Sequence, residues 1–308
     1  MEVEILEVDT TDRQHITWIH LIGAGDQELL SVLEQQNIQL TVPSRSQRAS
    51  FDRYSDFYYV RFYAFPADNN SAKVRPAAVH VVVQSATVLT WSSPETQNTF
   101  RQLRDKMDRH RNLIHNVHGL CYALLDQIVE DTFWMFDRLN DRLASVEHEV
   151  FLKSIPANIQ PQIFRLKREI LGLRHILASE RDVSYQLVRF WDTVLAEDRQ
   201  SRPSTFWSFE LYDHVIRLFD SADTYRELVN SALDIYLSNV SNRLNEIVKK
   251  LTIMTALFVP ATLVAALYGM NFDVLPGQHH PWGFFFVIGG VSIASIVLVW
   301  IFRSRRWL

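Results

Sequence analysis

The chain has 308 residues, 21 % of them charged, and a formal net charge of −4, values that on their own describe a water-soluble protein of one or two domains. A single cysteine, Cys121, excludes a disulfide within the chain and suits a reducing compartment, and the mildly acidic balance gives no reason to expect nucleic acid as a partner. The average hides a division: from Leu251 to Phe302 the only side chains that carry charge near neutral pH are Asp273, His279 and His280, whereas the first 250 residues are rich in Arg, Asp, Glu and Gln.

In chain order, residues 1–95 read as a mixed α/β domain. Strand composition marks 16–21 (ITWIHL), 57–65 (FYYVRFYAF) and 77–91, the last broken near Gln84–Ser85. Between the first two, 26–36 (DQELLSVLEQQ) has helical spacing, and Asp68, Asn69 and Asn70 mark a turn. The N-terminal MEVEILEVDT is acidic and has no apolar run of the kind a signal peptide carries. From Pro94 the chain turns helical. Residues 96–204 hold two long helical patterns, 120–151 and 160–195, interrupted near Pro156. His110, His115 and His118 have no carboxylate or cysteine at ligand spacing and are expected on ordinary helix surface.

A third pattern starts after the Pro203 loop. Leu211, Val215, Leu218, Ala222, Tyr225, Val229, Tyr236, Val240, Leu244 and Leu251 recur at three- and four-residue steps, with no proline or glycine before Pro260. The expectation is one helix of some sixty residues, on the order of 90 Å long, with 205–250 as a stalk that runs into an apolar span. Two apolar segments follow, 251–272 and 283–302, each long enough for a hydrocarbon core roughly 30 Å thick. They are separated by a short loop, 273–282, and closed by a basic tail, 303–308. A charge in mid-membrane costs on the order of 2.5 to 3.5 kcal/mol, so the absence of charge from both segments favours spans over buried core helices. Lys249 and Lys250 precede the first span, Arg303, Arg305 and Arg306 follow the second, and the loop has neither Lys nor Arg. The positive-inside rule then places both termini in the cytoplasm. Trp282, Trp300 and Trp307 stand where interfacial anchors belong.

The first span is two-faced. Asn245, Val248, Thr255, Val259 and Thr262 advance by 3, 7, 4 and 3 residues and form one stripe, with Ile253, Leu257, Val264 and Leu267 on the far side. Small and hydroxyl-bearing residues on a membrane helix fit either close helix packing or a pore wall, and the stripe alone favours packing. At its end stand Tyr268, Gly269, Met270 and Asn271. Taken singly, Gly269 suits a helix end and Asn271 a cap or turn.

Taken together, Tyr268–Gly269–Met270–Asn271 at the end of the first of two C-terminal spans resembles the hallmark of the CorA family of divalent-cation channels. Residues 212–263 resemble that family's stalk and pore helix, 120–151 its preceding cytoplasmic helix, and the ITWIHL strand and basic tail also match. The resemblance implies an α+β cytoplasmic domain, a long stalk helix and two C-terminal transmembrane helices, assembled as a funnel-shaped homopentamer in a lipid bilayer. It implies a pore lined by Asn245, Val248, Leu251, Thr255, Val259 and Thr262, with Tyr268 to Asn271 as the selectivity filter. Hydrated Mg²⁺ would be the transported ion, held through its waters by the Asn271 amides. Asp273 would attract cations, although the loop lacks a second acid that is usual in the family. His279 and His280 are soft enough to suggest Zn²⁺, Co²⁺ or Ni²⁺. The family's regulatory acids are replaced by Ser44 and Arg45, so that Arg45 and Glu210 become a metal-free interface pair. Two alternatives stay open: a Zn²⁺ transporter of the related ZntB branch, coupled to protons, and a membrane-anchored scaffold that does not conduct. No cofactor is expected, and no enzyme: the chain has no phosphate loop, nucleophile elbow or zinc-protease motif.

Overall fold

The computed structural model describes residues 2–9, 15–40, 48–66, 75–109, 114, 116–152, 156, 158–197, 205–270 and 280–305. The chain divides into two compact units, Met1–Leu233 and Asp234–Leu308.

The first unit is built on a six-stranded sheet of order β1-β2-β6-β5-β4-β3, with β1 Glu2–Asp9, β2 His15–Ile22, β3 Ser50–Arg53, β4 Phe57–Ala64, β5 Ala77–Gln84 and β6 Thr87–Ser92. Only β2 and β6 run parallel; the other neighbours are antiparallel. The expected break at Gln84–Ser85 is the turn between β5 and β6. Strand alternation sends side chains to two faces. On one face Ile19, Leu21, Tyr59, Val82, Leu89 and Trp91 bury against Leu29 and Leu33 of α1, Asp26–Gln35. Gly23, between β2 and α1, has φ +64° and a Cβ there would meet Pro94 Cγ at 3.1 Å, so this turn requires glycine.

The opposite face packs under α2 (Gln97–Arg109), α3 (Val117–Phe151) and α4 (Ile159–Glu197). Trp18 and His20 of β2 meet Phe100 of α2, and Tyr58 of β4 meets Phe190 of α4. In α4 the buried Ile159, Ile163, Leu166, Ile170, Leu173 and Leu177 advance by fours and threes, the stripe that a helix covering a core must show. Each such side chain contributes about 1.5–3 kcal/mol by leaving water. The Asn116 side chain caps α3 by accepting from Gly119 N at 2.8 Å.

The long helix α5 is a single element, Thr205–Tyr268, as its uninterrupted seam required, with Pro260 inside it. Within the first unit Leu211, Val215, Leu218, Ala222, Val229 and Ala232 are buried. Arg174 of α4 forks onto Asp223 of α5 at 2.6 and 3.3 Å. In the second unit the seam loses its cover by degrees: Tyr236 and Val240 are half-buried, and Leu244 and Leu251 are more than half exposed. The last helix, α6, is Gly283–Ser304. Both α5 and α6 are long and apolar enough to cross a membrane.

Two strands were not foreseen, β1 and β3. One expectation is corrected. His118 is not helix surface: it is half-buried, with Nδ1 bonded to the Tyr58 hydroxyl at 3.0 Å and its ring stacked on Tyr58. Burial lowers its pKa to about 4, so it stays neutral. His110, His115 and the turn at Asp68–Asn70 lie outside the described residues.

Candidate functional site

The span of α5 has two faces in the structure. Ile253 is 5 % exposed, and Leu257, Pro260 and Val264 are half-buried. At roughly 100° per residue these four fall within about 60° of one another. Asn245, Val248, Leu251, Thr255, Val259 and Thr262 are all exposed and centre about half a turn away. Leu267, expected with the Ile253 face, is exposed as well. Among the described residues the stripe is uncovered, as are Met254, Phe258 and Leu263 beside it, so the Ile253 face is the one that packs.

The hydroxyls on this helix are oriented by their own backbone. Thr255 Oγ1 donates to the Leu251 carbonyl at 2.9 Å and Thr262 Oγ1 to the Phe258 carbonyl at 2.8 Å. Each hydroxyl has one proton, so what it offers outward is a pair of acceptor lone pairs. A cation or its hydration water, whose hydrogens point away from the metal, is the complementary partner. The sequence shows the threonines but not which half of the hydroxyl remains free.

At the end of α5, Gly269 N donates to the carbonyls of Ala265 at 2.9 Å and Ala266 at 3.2 Å, and Met270 N to Leu267 at 3.3 Å. The backbone is thus wound tight through Tyr268–Gly269–Met270. A Cβ at Gly269 would lie 3.2 Å from the Ala265 carbonyl oxygen, a close approach that glycine avoids. Asn271, Asp273 and His279 lie outside the described residues. His280 begins the next described stretch, and its Nδ1 accepts from Trp282 N at 3.2 Å. With Nδ1 so engaged the neutral ring carries its proton on Nε2. Among the described residues no group of three or more His, Cys, Asp or Glu side chains is placed to hold a metal ion.

Glu210, the second site the sequence singled out, belongs to the first unit. Its Oε2 accepts from the Tyr122 hydroxyl at 3.2 Å. One turn on, His214 Nδ1 meets Asp126 Oδ1 at 2.8 Å. Burial pushes the Asp126 carboxyl up, and the bond to His214 pulls it back down. Sequence reading found Glu210 but missed its neighbours. Their signal was present: Tyr122 and Asp126 on α3, like Glu210 and His214 on α5, stand four residues apart and so share a face. Arg45 lies outside the described residues.

Residues 13–306 match the family model described as CorA-like Mg²⁺ transporter protein. Among curated relatives, the cobalt/magnesium transport protein CorA of Thermotoga maritima is 26 % identical over 321 residues, covering 99 % of this chain and 90 % of that protein. The complete structure of the CorA magnesium transporter from Methanocaldococcus jannaschii superposes with a TM-score of 0.83 at 22 % identity, over 100 % of this chain and 99 % of that one. Full-length CmaX gives a TM-score of 0.72 at 20 % identity, over 96 % and 89 % of the two chains. At such identities the structural matches speak for the fold, and the family match spans nearly the whole sequence. The chain is therefore a member of the CorA family of membrane divalent-cation transporters, and not an enzyme.

Proposed function

We propose that five copies of this chain surround one pore through which hydrated Mg²⁺ enters the cell. The observation that carries this reading is the exposed stripe on α5, half a turn from the buried Ile253, leading to Tyr268–Gly269–Met270–Asn271. Around a common axis the stripe becomes six rings: amides at Asn245, apolar constrictions at Val248, Leu251 and Val259, and hydroxyl acceptors at Thr255 and Thr262. Asn271 closes the outer end with a ring of neutral carboxamides. Mg²⁺ prefers oxygen and sheds water reluctantly, so a neutral ring holds the hydrated ion through its waters without the grip of carboxylates. Conduction needs that balance between entry and release. Asp273 raises the cation concentration at the mouth. An inside-negative potential drives a divalent ion with about 4.6 kcal/mol per 100 mV.

Mg²⁺ leads, with Co²⁺ next, because the Thermotoga maritima relative is named a cobalt/magnesium transporter; Ni²⁺ and Zn²⁺ follow. With both termini cytoplasmic, the sheet-bearing unit faces the cytosol. There Glu210 would meet Arg45 of a neighbouring copy and hold the interface without metal. Uptake of Mg²⁺ and Zn²⁺ into proteoliposomes, with and without a pH gradient, tests the conduction reading. The expected result is Mg²⁺ uptake that is indifferent to the gradient and lost in Asn271→Ala, by a particle whose mass is that of five chains. Zn²⁺ uptake that needs the gradient would assign the chain to proton-coupled transport. No uptake of either ion would leave a scaffold.

A further inference from the structure

A cavity of about 1110 Å³ opens within the Met1–Leu233 unit, where α3 and α4 face the Phe65 and Pro76 ends of the β4–β5 connection. It is as large as the pockets that enclose sizeable organic ligands, and nothing in the conduction reading uses it. Its floor is apolar: Phe65, Met135, Leu139, Val146, Leu173 and Ile176 line it and are buried. Among the described residues that line it, Arg75, Arg142, Arg165 and Arg168 stand against one carboxylate, that of Glu169, so this lining is cationic. Glu169 is paired with Arg142. Arg165 Nε donates to the Pro161 carbonyl at 3.2 Å, and among the described residues its terminal nitrogens make no hydrogen bond. Among the described residues, Arg75 and Arg168 take part in no ion pair.

Arg165, Arg168 and Glu169 fall within about one turn of α4, and Glu169 brings Arg142 of α3 to the same place. Three arginines thus border the cavity together with its apolar floor. Guanidinium forks match phosphate oxygens two at a time, which is why arginine rather than lysine gathers at such sites. Gly172 supports the same assignment. It lines the cavity in mid-helix, where glycine costs about 1 kcal/mol relative to alanine, and a Cβ there would meet nothing within 4 Å. Gly172 is exposed and lines the cavity, so a long side chain there has room to form and would narrow it.

We propose that this cavity binds a nucleoside polyphosphate, its base against the apolar floor and its phosphates on Arg142, Arg165 and Arg168, with Arg75 as a further cation of the lining. A fatty-acid anion would fill the floor yet meet several guanidinium groups with one charge. A bare polyphosphate would meet the arginines and leave the floor wet. Phosphate oxygens are also Mg²⁺ ligands, so metal-free nucleotide accumulates when Mg²⁺ is scarce, and that form presents its full charge to the arginines. The regulatory sense of such binding rests on the conduction reading; the binding itself does not.

Equilibrium dialysis of radiolabelled ATP in EDTA, against the full-length protein in detergent, tests this without measuring ion flux. One ATP is expected to bind per chain, saturably, and Mg²⁺ is expected to weaken it. Arg165→Ala with Arg168→Ala should weaken binding by about tenfold or more. Gly172→Leu should abolish it while leaving the melting temperature unchanged or raised, since the new side chain occupies open space in a helix it favours. Tripolyphosphate and adenosine should each compete less well than ATP. Absence of saturable binding at millimolar ATP overturns the proposal, as does undiminished binding in both variants. Tripolyphosphate competing as well as ATP removes the base from the site and overturns the nucleotide assignment.

Discussion

Glu180 on α4 is only 2 % exposed, and its Oε1 accepts from the backbone N–H of Tyr63 at 2.9 Å. β3 begins at Ser50, opposite Arg61 of β4, so Tyr63 runs past its end and its N–H turns to the carboxyl instead of a strand. Burial pushes the Glu180 pKa up to about 8, and the bond from Tyr63 only partly opposes it. The folded protein therefore holds this proton between about pH 4.5 and 8, where the unfolded chain has released it, and the group's contribution to stability falls as pH rises through that window. Glu180→Gln keeps an acceptor for Tyr63 and removes the titration. Its melting temperature should match the wild type at pH 5 and exceed it at pH 8, by on the order of several kcal/mol in stability. Parallel melting curves at the two values would refute the account. Gly269→Ala tests the helix end in the same way: the new Cβ presses on the Ala265 carbonyl, so uptake should drop several-fold while assembly persists. Neither effect is legible in the sequence. Glu180 sits in an ordinary helical run of charges, and only the length of β3 makes it a backbone partner.

At the scale of the element, α5 places two apolar residues two positions apart in opposite surroundings. Leu251 is 63 % exposed and Ile253 is 5 % exposed. Ile253→Ala removes packed atoms and should cost about 2–5 kcal/mol. Leu251→Ala should change stability by no more than about 0.5 kcal/mol, yet raise ion uptake by widening the constriction proposed there. Thermal melting of the purified protein and proteoliposome flux, measured on both variants, separate the two faces; equal destabilisation would merge them. The long helices were readable because burial repeats every three or four residues over many turns, and the central strands because they are apolar on both faces. The edge strands lack those signals. In β1, Val3 and Ile5 are 41 % and 66 % exposed, and the strand is held by pairing with β2 and by the bond from Arg104 to Glu4. β3 has four residues and none is buried. The seam of α5 keeps one spacing from Leu211 to Leu251 while its burial fades, from Val229 fully buried through Tyr236 and Val240 half-buried to Leu244 and Leu251 exposed, a change that periodicity cannot register.

For the whole molecule, the charge pattern predicts an orientation that one residue makes simple to test. Cys121 is the sole cysteine, fully buried, with its thiol pushed up to about 12 by burial. The wild-type chain should therefore resist a thiol reagent, which attacks the thiolate, and every engineered cysteine reports on itself alone. Lys249 and Lys250 before the first span and Arg303 and Arg305 after the second are expected to hold both flanks at an anionic inner surface, while the loop between carries no Lys or Arg to oppose crossing. In intact cells a membrane-impermeant maleimide should then label Asp273→Cys directly. Ser304→Cys, exposed at the end of α6, should react only after the membrane is opened. The reverse pattern would put Asp273 inside, where its charge could not concentrate incoming cations and the amide ring proposed for Asn271 would face the cytosol. Labelling of both sites from outside would mean that one apolar helix fails to cross, leaving too few walls for a pore.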